Sequence, residues 1–497
     1  MNNFSNLHRR VPRLGVLFGV LLLSGCATFS ADGGFDKVNA VARERLGTDV
    51  VWQRSAEARD SAEQRVSELL RAPLTADSAV QIALLNNRGL QARFAELGIA
   101  EADVVQAGRL WNPVFAAAGW RNQEGLESLL SIESSLLGLL LTPNAVKFET
   151  MRFDYARLNA AKAVLELADE TRKAYYDAVA EQQLVEYFEQ VKLAADAAAD
   201  LAKQMAKVGN MSKRDQAREQ VFYAETVARL ARTKQRALAS REKLTRMLGL
   251  WGGGTAFELP ETLPNLPAKL ASGDNLESIA IASRLDVQLA KKETEYLAEG
   301  LGMTKATRFI NVLNLGAESE KKPETRRLSG PTLKLEIPLF DFGDARIAKY
   351  QAQYQQSVDR LAEAAVNARS EVRAAYPAYR TAYETAQHYR TEIVPLRKKI
   401  SDQNLLYYNG MLISIFELLA DTREQISSVV EYIEALRDFW VAESELRAAL
   451  GGQPLVMDIA AKPAPEAGAA ADKPAVSDNA AEPAATPAPA GGAAHQH

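Results

Sequence analysis

Cys26 is the only cysteine in the chain, and His8, His388, His495 and His497 are the only histidines, so the side chains able to hold a soft metal or act as a nucleophile are few. One cysteine permits neither a disulfide nor a cysteine metal cage. Its setting gives it a different chemistry. The basic residues His8, Arg9, Arg10 and Arg13 precede an apolar run from Val16 to Leu23, and Leu23, Ser24, Gly25 and Cys26 follow as a bacterial lipobox. The apolar run is too short for a permanent membrane helix and reads as a secretory signal, residues 1–25, removed to leave Cys26 as a lipidated N-terminus. That covalent lipid is the expected prosthetic group, with no other cofactor. Glu417 and Asp421, four residues apart on a helix, pair two carboxylates. Without a metal or histidine beside them they form a charged helix face rather than an acid–base couple. No G-x-S-x-G, Walker or zinc-ligand pattern occurs, so no enzyme and no catalytic residue is expected. The formal charge of −4 provides no broad basic surface for nucleic acid.

The elements that would position these residues come in two copies. Ile82–Glu96 lies over Ile279–Glu293, Leu136–Ala145 over Glu336–Ala345, Arg172–Ala178 over Val372–Ala378, and Leu244–Gly249 over Leu446–Gly451, all at a shift of about 200 residues. Each copy reads as an entering helix, a short β-hairpin, a very long helix, a turn and a long returning helix. The long helices are expected over Asn144–Val208 and Asp344–Tyr408, where glycine is scarce and apolar residues recur every three or four positions. Each would run about 98 Å. Pro377 and Pro395 predict kinks in the second. The returning helices are expected over Ser212–Leu248 and Ser414–Leu450, and the entering ones over Asp77–Arg109 and Asn275–Thr307.

Among the strand candidates LKLEIPLF is the clearest, because Leu333, Leu335, Ile337 and Leu339 alternate with Lys334, Glu336 and Pro338. One face would meet lipid and the other a wet lumen, the pattern of an outer-membrane barrel strand. Partner strands are expected near Phe309–Glu318, Pro113–Arg121 and Leu129–Leu139, with Ser319–Ser329 as a charged exposed loop. Four strands cannot close a barrel, and open edges in hydrocarbon leave backbone groups unsatisfied, so the chain must oligomerise. The expected fold class is therefore mainly α with a small membrane β-barrel contribution, built from a duplicated helix, hairpin and long-helix-hairpin unit.

The junction IPLFDFGDARIAKYQAQY (Ile337–Tyr354) resembles the strand-to-helix passage of TolC-like outer-membrane factors, and the lipobox, the duplication, the helix ends LTRMLG and LRAALG and the turn YNGMLISIFELLADTREQ (Tyr408–Gln425) are similar to that family too. The resemblance covers about Pro73 to Gly451. It implies a homotrimer with a twelve-stranded barrel continued by a helical periplasmic tunnel, anchored in outer-membrane lipid and docked on a periplasmic adaptor and an inner-membrane pump. It also implies that Val208, Gly209 and Ser212 at one helix tip, and Gly410 and Ser414 at the other, touch the adaptor. A ring of acids, Glu417 or Asp421 from each copy, would narrow the lumen. Against this family's pattern, one additional residue follows Gly410.

These readings divide the chain into the signal 1–25, a lipidated segment 26–72, a first repeat 73–253, a linker 254–274, a second repeat 275–451 and a tail 452–497. From about residue 460 the tail is rich in Ala and Pro and is expected to be disordered. A passive outer-membrane export duct fits all of them. A periplasmic coiled-coil scaffold lipoprotein would account for the rods and anchor but not the hairpins. A metal-handling lipoprotein would use the HQH ending but needs no tube. The acids and terminal histidines lean toward metal cations as the exported substrate.

Overall fold

The computed structural model describes residues 28–455 apart from positions 124 and 324. The signal, Cys26 and the tail from residue 456, with His495 and His497, lie outside the described residues.

Two short helices, α1 (Asp36–Leu46) and α2 (Ala56–Leu69), come first. The first repeat is α3 (Ala76–Asn86), α4 (Arg88–Ala107), β1 (Val114–Asn122), β2 (Gly125–Ser135), α5 (Leu136–Lys207) and α6 (Lys213–Leu248). The second is α7 (Leu276–Ser283), α8 (Leu285–Ala306), β3 (Leu313–Lys321), β4 (Leu328–Leu335), α9 (Asp344–His388), α10 (Val394–Asn409) and α11 (Ile415–Ala449). The 72 residues of α5 make a rod of about 108 Å. It begins earlier than expected, because Ser135 ends β2 and at once caps the helix, accepting from the Gly138 N–H at 3.0 Å.

In the second rod the chain stays helical through Pro377. The interruption is a π turn at Tyr389–Ile393, just before Pro395. Pro395 has no N–H for the α-helical ladder, and a wider turn immediately before it absorbs the misfit.

The entering helices are each two helices, not one. The chain leaves helical geometry at Asn87 and Arg284 (ψ 114° and 127°). Into each break docks the end of a returning helix, which explains why LTRMLG and LRAALG recur. Gly249 takes φ +65°, and Asn86 Nδ2 donates to the carbonyls of Leu248 (3.1 Å) and Gly249 (2.7 Å) while Asn87 Nδ2 donates to Met247 (3.0 Å). In the second copy Gly451 takes φ +73° and Ser283 Oγ donates to the Leu450 carbonyl at 2.8 Å. A Cβ on Gly249 would lie 2.7 Å from the Asn86 carbonyl oxygen, which is backbone and cannot swing aside. Gly249→Ala should therefore lose more than the ordinary left-handed penalty of about 1–3 kcal/mol, read as a lower denaturant midpoint with an unchanged slope.

Both repeats contribute to one core. Phe439 of α11 is fully buried against Tyr379 and Tyr383 of α9, and Trp440 beside it stacks on Tyr176 of α5 with centroids 5.3 Å apart. A second cluster lies under the N-terminal segment, where Phe35 meets Phe94 edge-on at 4.9 Å and Val38 and Ala42 are fully buried.

The strands form an antiparallel sheet in the order β1-β2-β3-β4, so the two hairpins meet through β2 and β3. β3 and β4 extend into the stretch expected as a loop, leaving 322–327 between them. β4 ends at Leu335, with one further ladder bond from the Glu336 N–H to the Val312 carbonyl. Ile337 and Leu339 thus lie past the strand end rather than in it: Pro338 cannot donate to a ladder, and residues 336–343 lead into α9 as irregular chain.

Candidate functional site

The register of the sheet sorts its side chains into two faces, since residues directly opposite in an antiparallel pair point the same way. One face carries the rows Phe115, Ile132, Ala317 and Pro331; Ser134, Leu315 and Leu333; and Leu313 with Leu335. Phe115, Ile132, Leu315, Leu333 and Leu335 are all exposed, with Leu333 at 65%. The opposite face is mixed: Glu133, Asn314, Glu318, Thr332 and Lys334 share it with the exposed Val114, Trp120 and Leu328, and Lys334 Nζ lies 2.5 Å from Glu133. A sheet with one bare apolar face, one mixed face that bears its charges and two unpaired edges, β1 and β4, is incomplete in water and in lipid alike. Where the mixed face meets the helices, a cavity of about 790 Å³ opens, lined among others by Asp103, Trp111, Glu133 and Asn314.

At the far end of the rods the two tips share one geometry. After α5, Val208 ends the helix, Gly209 takes φ +82°, and the N–H groups of Gly209 and Asn210 donate back to the carbonyls of Ala206 (3.2 Å) and Met205 (2.9 Å). Ser212 then caps α6, accepting from the Asp215 N–H at 3.1 Å. After α10, Gly410 ends the helix at φ −83°, Met411 takes φ +58°, and Met411 and Leu412 donate to Tyr408 (2.9 Å) and Tyr407 (2.8 Å). Ser414 caps α11.

Both are the same glycine-type helix stop. The shift that carries Leu244–Gly249 onto Leu446–Gly451 carries Val208 onto Gly410, Gly209 onto Met411 and Ser212 onto Ser414. Gly410 thus stands where Val208 does, and it is not the residue that turns left-handed. No residue is added at the tip relative to the first repeat, and a methionine occupies the left-handed position. Its side chain is 94% exposed, beside Leu412 at 73%, so the second tip is an apolar knob. Met411→Gly should stabilise the protein by about 1 kcal/mol by removing left-handed strain, seen as a raised denaturant midpoint.

The two acids of α11 have local partners. Glu417 closes a capping box: its Oε2 accepts from the Ser414 N–H at 3.1 Å while its own N–H donates to Ser414 Oγ at 3.3 Å. Asp421 accepts from the Asn404 side-chain amide of α10. Glu417 therefore serves the helix start, and Asp421 joins the two arms of the second hairpin. His388 lies exposed on α9, with Nδ1 3.4 Å from Glu392. Among the described residues no group of three or more His, Cys, Asp or Glu side chains is placed to hold a metal ion.

Sequence patterns gave no sign of a buried ion pair above the tips. Glu219 of α6, 3% exposed, accepts from Arg423 Nη2 of α11 at 2.8 Å, and that guanidinium lies 4.4 Å over the Phe222 ring. Only the fold brings these residues together, about 200 positions apart in the chain.

The sequence matches no family profile. It is 20% identical over 397 residues to the cobalt-zinc-cadmium resistance protein CzcC of Cupriavidus metallidurans, covering 76% of this chain and 90% of that one. The structure superposes on the outer-membrane channel OprN with a TM-score of 0.64 at 17% identity, covering 86% of this chain and 96% of that one. On the open state of the MtrE outer-membrane channel of Neisseria gonorrhoeae the TM-score is 0.61 at 15% identity, covering 79% and 90%.

Proposed function

We propose that this chain, whose fold is that of the TolC-like outer-membrane factors, is the outer-membrane channel of a tripartite efflux system, a passive conduit and not an enzyme. The two-faced sheet with open edges carries this reading. Pairing β1 of one copy with β4 of the next removes both edges, and three copies make a twelve-stranded barrel, within the size range of membrane barrels. Its apolar face, with Leu333 and Leu335, then meets lipid, and Glu133 and Lys334 line water. The rods continue the cylinder into the periplasm.

The tips at Val208, Gly209, Ser212, Gly410 and Ser414 meet a periplasmic adaptor, which brings an inner-membrane pump. The pump supplies the energy. Lipid on Cys26 adds a second hold on the outer membrane. Ser30, four residues later, donates from its N–H and Oγ to Glu101 at 2.6 and 2.5 Å, and Glu101 lies near the end of α4 that leads into β1. Ser30, close in sequence to Cys26, is thereby tied to the end of α4 that leads into the sheet.

Divalent metal cations are the substrate class we favour. The similarity to a cobalt-zinc-cadmium resistance protein supports this, as do the carboxylates of α11, which repeated around a threefold axis would concentrate cations. The test is single-channel conductance of the lipidated protein in a planar bilayer. A cation-selective pore is expected, with Asp421→Asn lowering the cation-over-anion permeability ratio by at least about two-fold. A verified, membrane-inserted trimer that passed no current would overturn the channel reading.

A further inference from the structure

Where α1 crosses the start of α3 and the end of α11, a cleft of about 610 Å³ is lined by three arginines, Arg45, Arg172 and Arg447, from three separate parts of the chain. Arg172 is 6% exposed and, among the described residues, makes no hydrogen bond. Its nearest acid is Asp77, 3.8 Å away on a side chain that is itself 92% exposed. Arg45, 9% exposed, uses Nη1 on the carbonyls of Ser283 (2.8 Å) and Gly451 (2.5 Å), while its Nε is buried with no partner. Arg447 pairs with Glu443 at 2.5 Å and also leaves Nε without a partner.

Burial, and then the neighbouring Arg447, pull the Arg172 guanidinium below its ordinary pKa, and burial does the same to Arg45. Arginine nevertheless keeps its proton at every physiological pH. The charges persist, and the acids that face them are Glu44 and Asp77 on the exposed rim of the same cleft and Glu443, which pairs with Arg447. An uncompensated buried guanidinium is costly, and its fixed fork of donors matches the oxygens of a phosphate or carboxylate.

We propose that this cleft is an oxyanion-binding site in which a phosphate or carboxylate group bridges Arg172 and Arg447 and clamps α1, α5 and α11 together. The ligand closes the joint where the second repeat ends, since Arg45 already ties α1 to Gly451 there. The site lies apart from the sheet and the tips, so it stands independently of the channel reading.

The test is thermal unfolding of the full-length, detergent-purified protein titrated with inorganic phosphate at constant ionic strength, with acetate as a parallel arm to separate phosphate from carboxylate sources. The midpoint should rise by several degrees and saturate in at least one arm, because a ligand bound only by the folded state stabilises it. Arg172→Gln should abolish that rise. Gln81→Glu, which places a fixed carboxylate in the cleft lining, should raise the midpoint without ligand and remove the response, and it serves if Arg172→Gln does not fold. A wild-type midpoint unmoved by either anion, or an equal rise in a folded Arg172→Gln or in Gln81→Glu, would overturn the proposal.

Discussion

Replacing Arg423 with methionine should destabilise the protein by about 3–5 kcal/mol, because it strands a buried carboxylate. Glu219 is 3% exposed, its Oε1 is held by Arg423, and its Oε2 already has no partner. Arg423 itself is one-third exposed, so water softens the loss and the lower end of that range is the firmer expectation. The companion change decides the cause. If the deficit is the stranded charge, adding Glu219→Leu to Arg423→Met should recover most of it, since an apolar pair of similar volume is often as stable as a buried ion pair. Chemical unfolding followed by circular dichroism gives both numbers. A single mutant within about 0.5 kcal/mol of wild type, the usual range for an inconsequential surface change, would show that the pair contributes little.

Phe439→Ala should cost a similar amount, about 3–5 kcal/mol, for a different reason: it leaves a void. The ring is fully buried, with Tyr379, Tyr383 and Trp440 at centroid distances of 5.5, 5.7 and 5.0 Å. Those neighbours also hold the linker between repeats. Trp440 Nε1 donates to the Pro264 carbonyl at 2.9 Å, the Tyr383 hydroxyl donates to Pro267 at 3.1 Å, and the Tyr379 hydroxyl accepts from the Ala271 N–H at 3.4 Å. The same substitution should therefore broaden the near-ultraviolet signal of these aromatics. Phe439→Leu, which keeps most of the volume, should lose much less.

How much of this was legible depends on how local the signal is. Ser212 and Ser414 were readable as helix starts because a hydroxyl cap acts on N–H groups three residues away. The rods were readable because helical periodicity over so long a stretch has no competing interpretation. The breaks at Asn87 and Arg284 were not, since neither position carries Pro or Gly. They arise from the docking of Gly249 and Gly451, which are distant in sequence. LKLEIPLF misled at its end because alternation of residue type continued past Pro338, where the ladder could not. At the second tip the eye follows Gly410, yet the backbone assigned the left-handed position to Met411. A glycine is permissive of that conformation without being required for it. Arg45, Arg172 and the Glu219–Arg423 pair left no pattern, because a buried charge is marked only by what surrounds it.

The seam between β2 and β3 carries an implication for the order of assembly. Each hairpin pairs residues close in the chain, but Ser128 of β2 meets Lys321 of β3, and that contact must close a loop containing the whole first rod. Such long-range pairing forms late. The first hairpin therefore gains its β3 neighbour only once the second repeat is in place. A truncated chain ending before β3 would present two strands, too few to shelter their backbone in hydrocarbon. The four-stranded sheet thus depends on both repeats being present, because its central seam joins one strand from each.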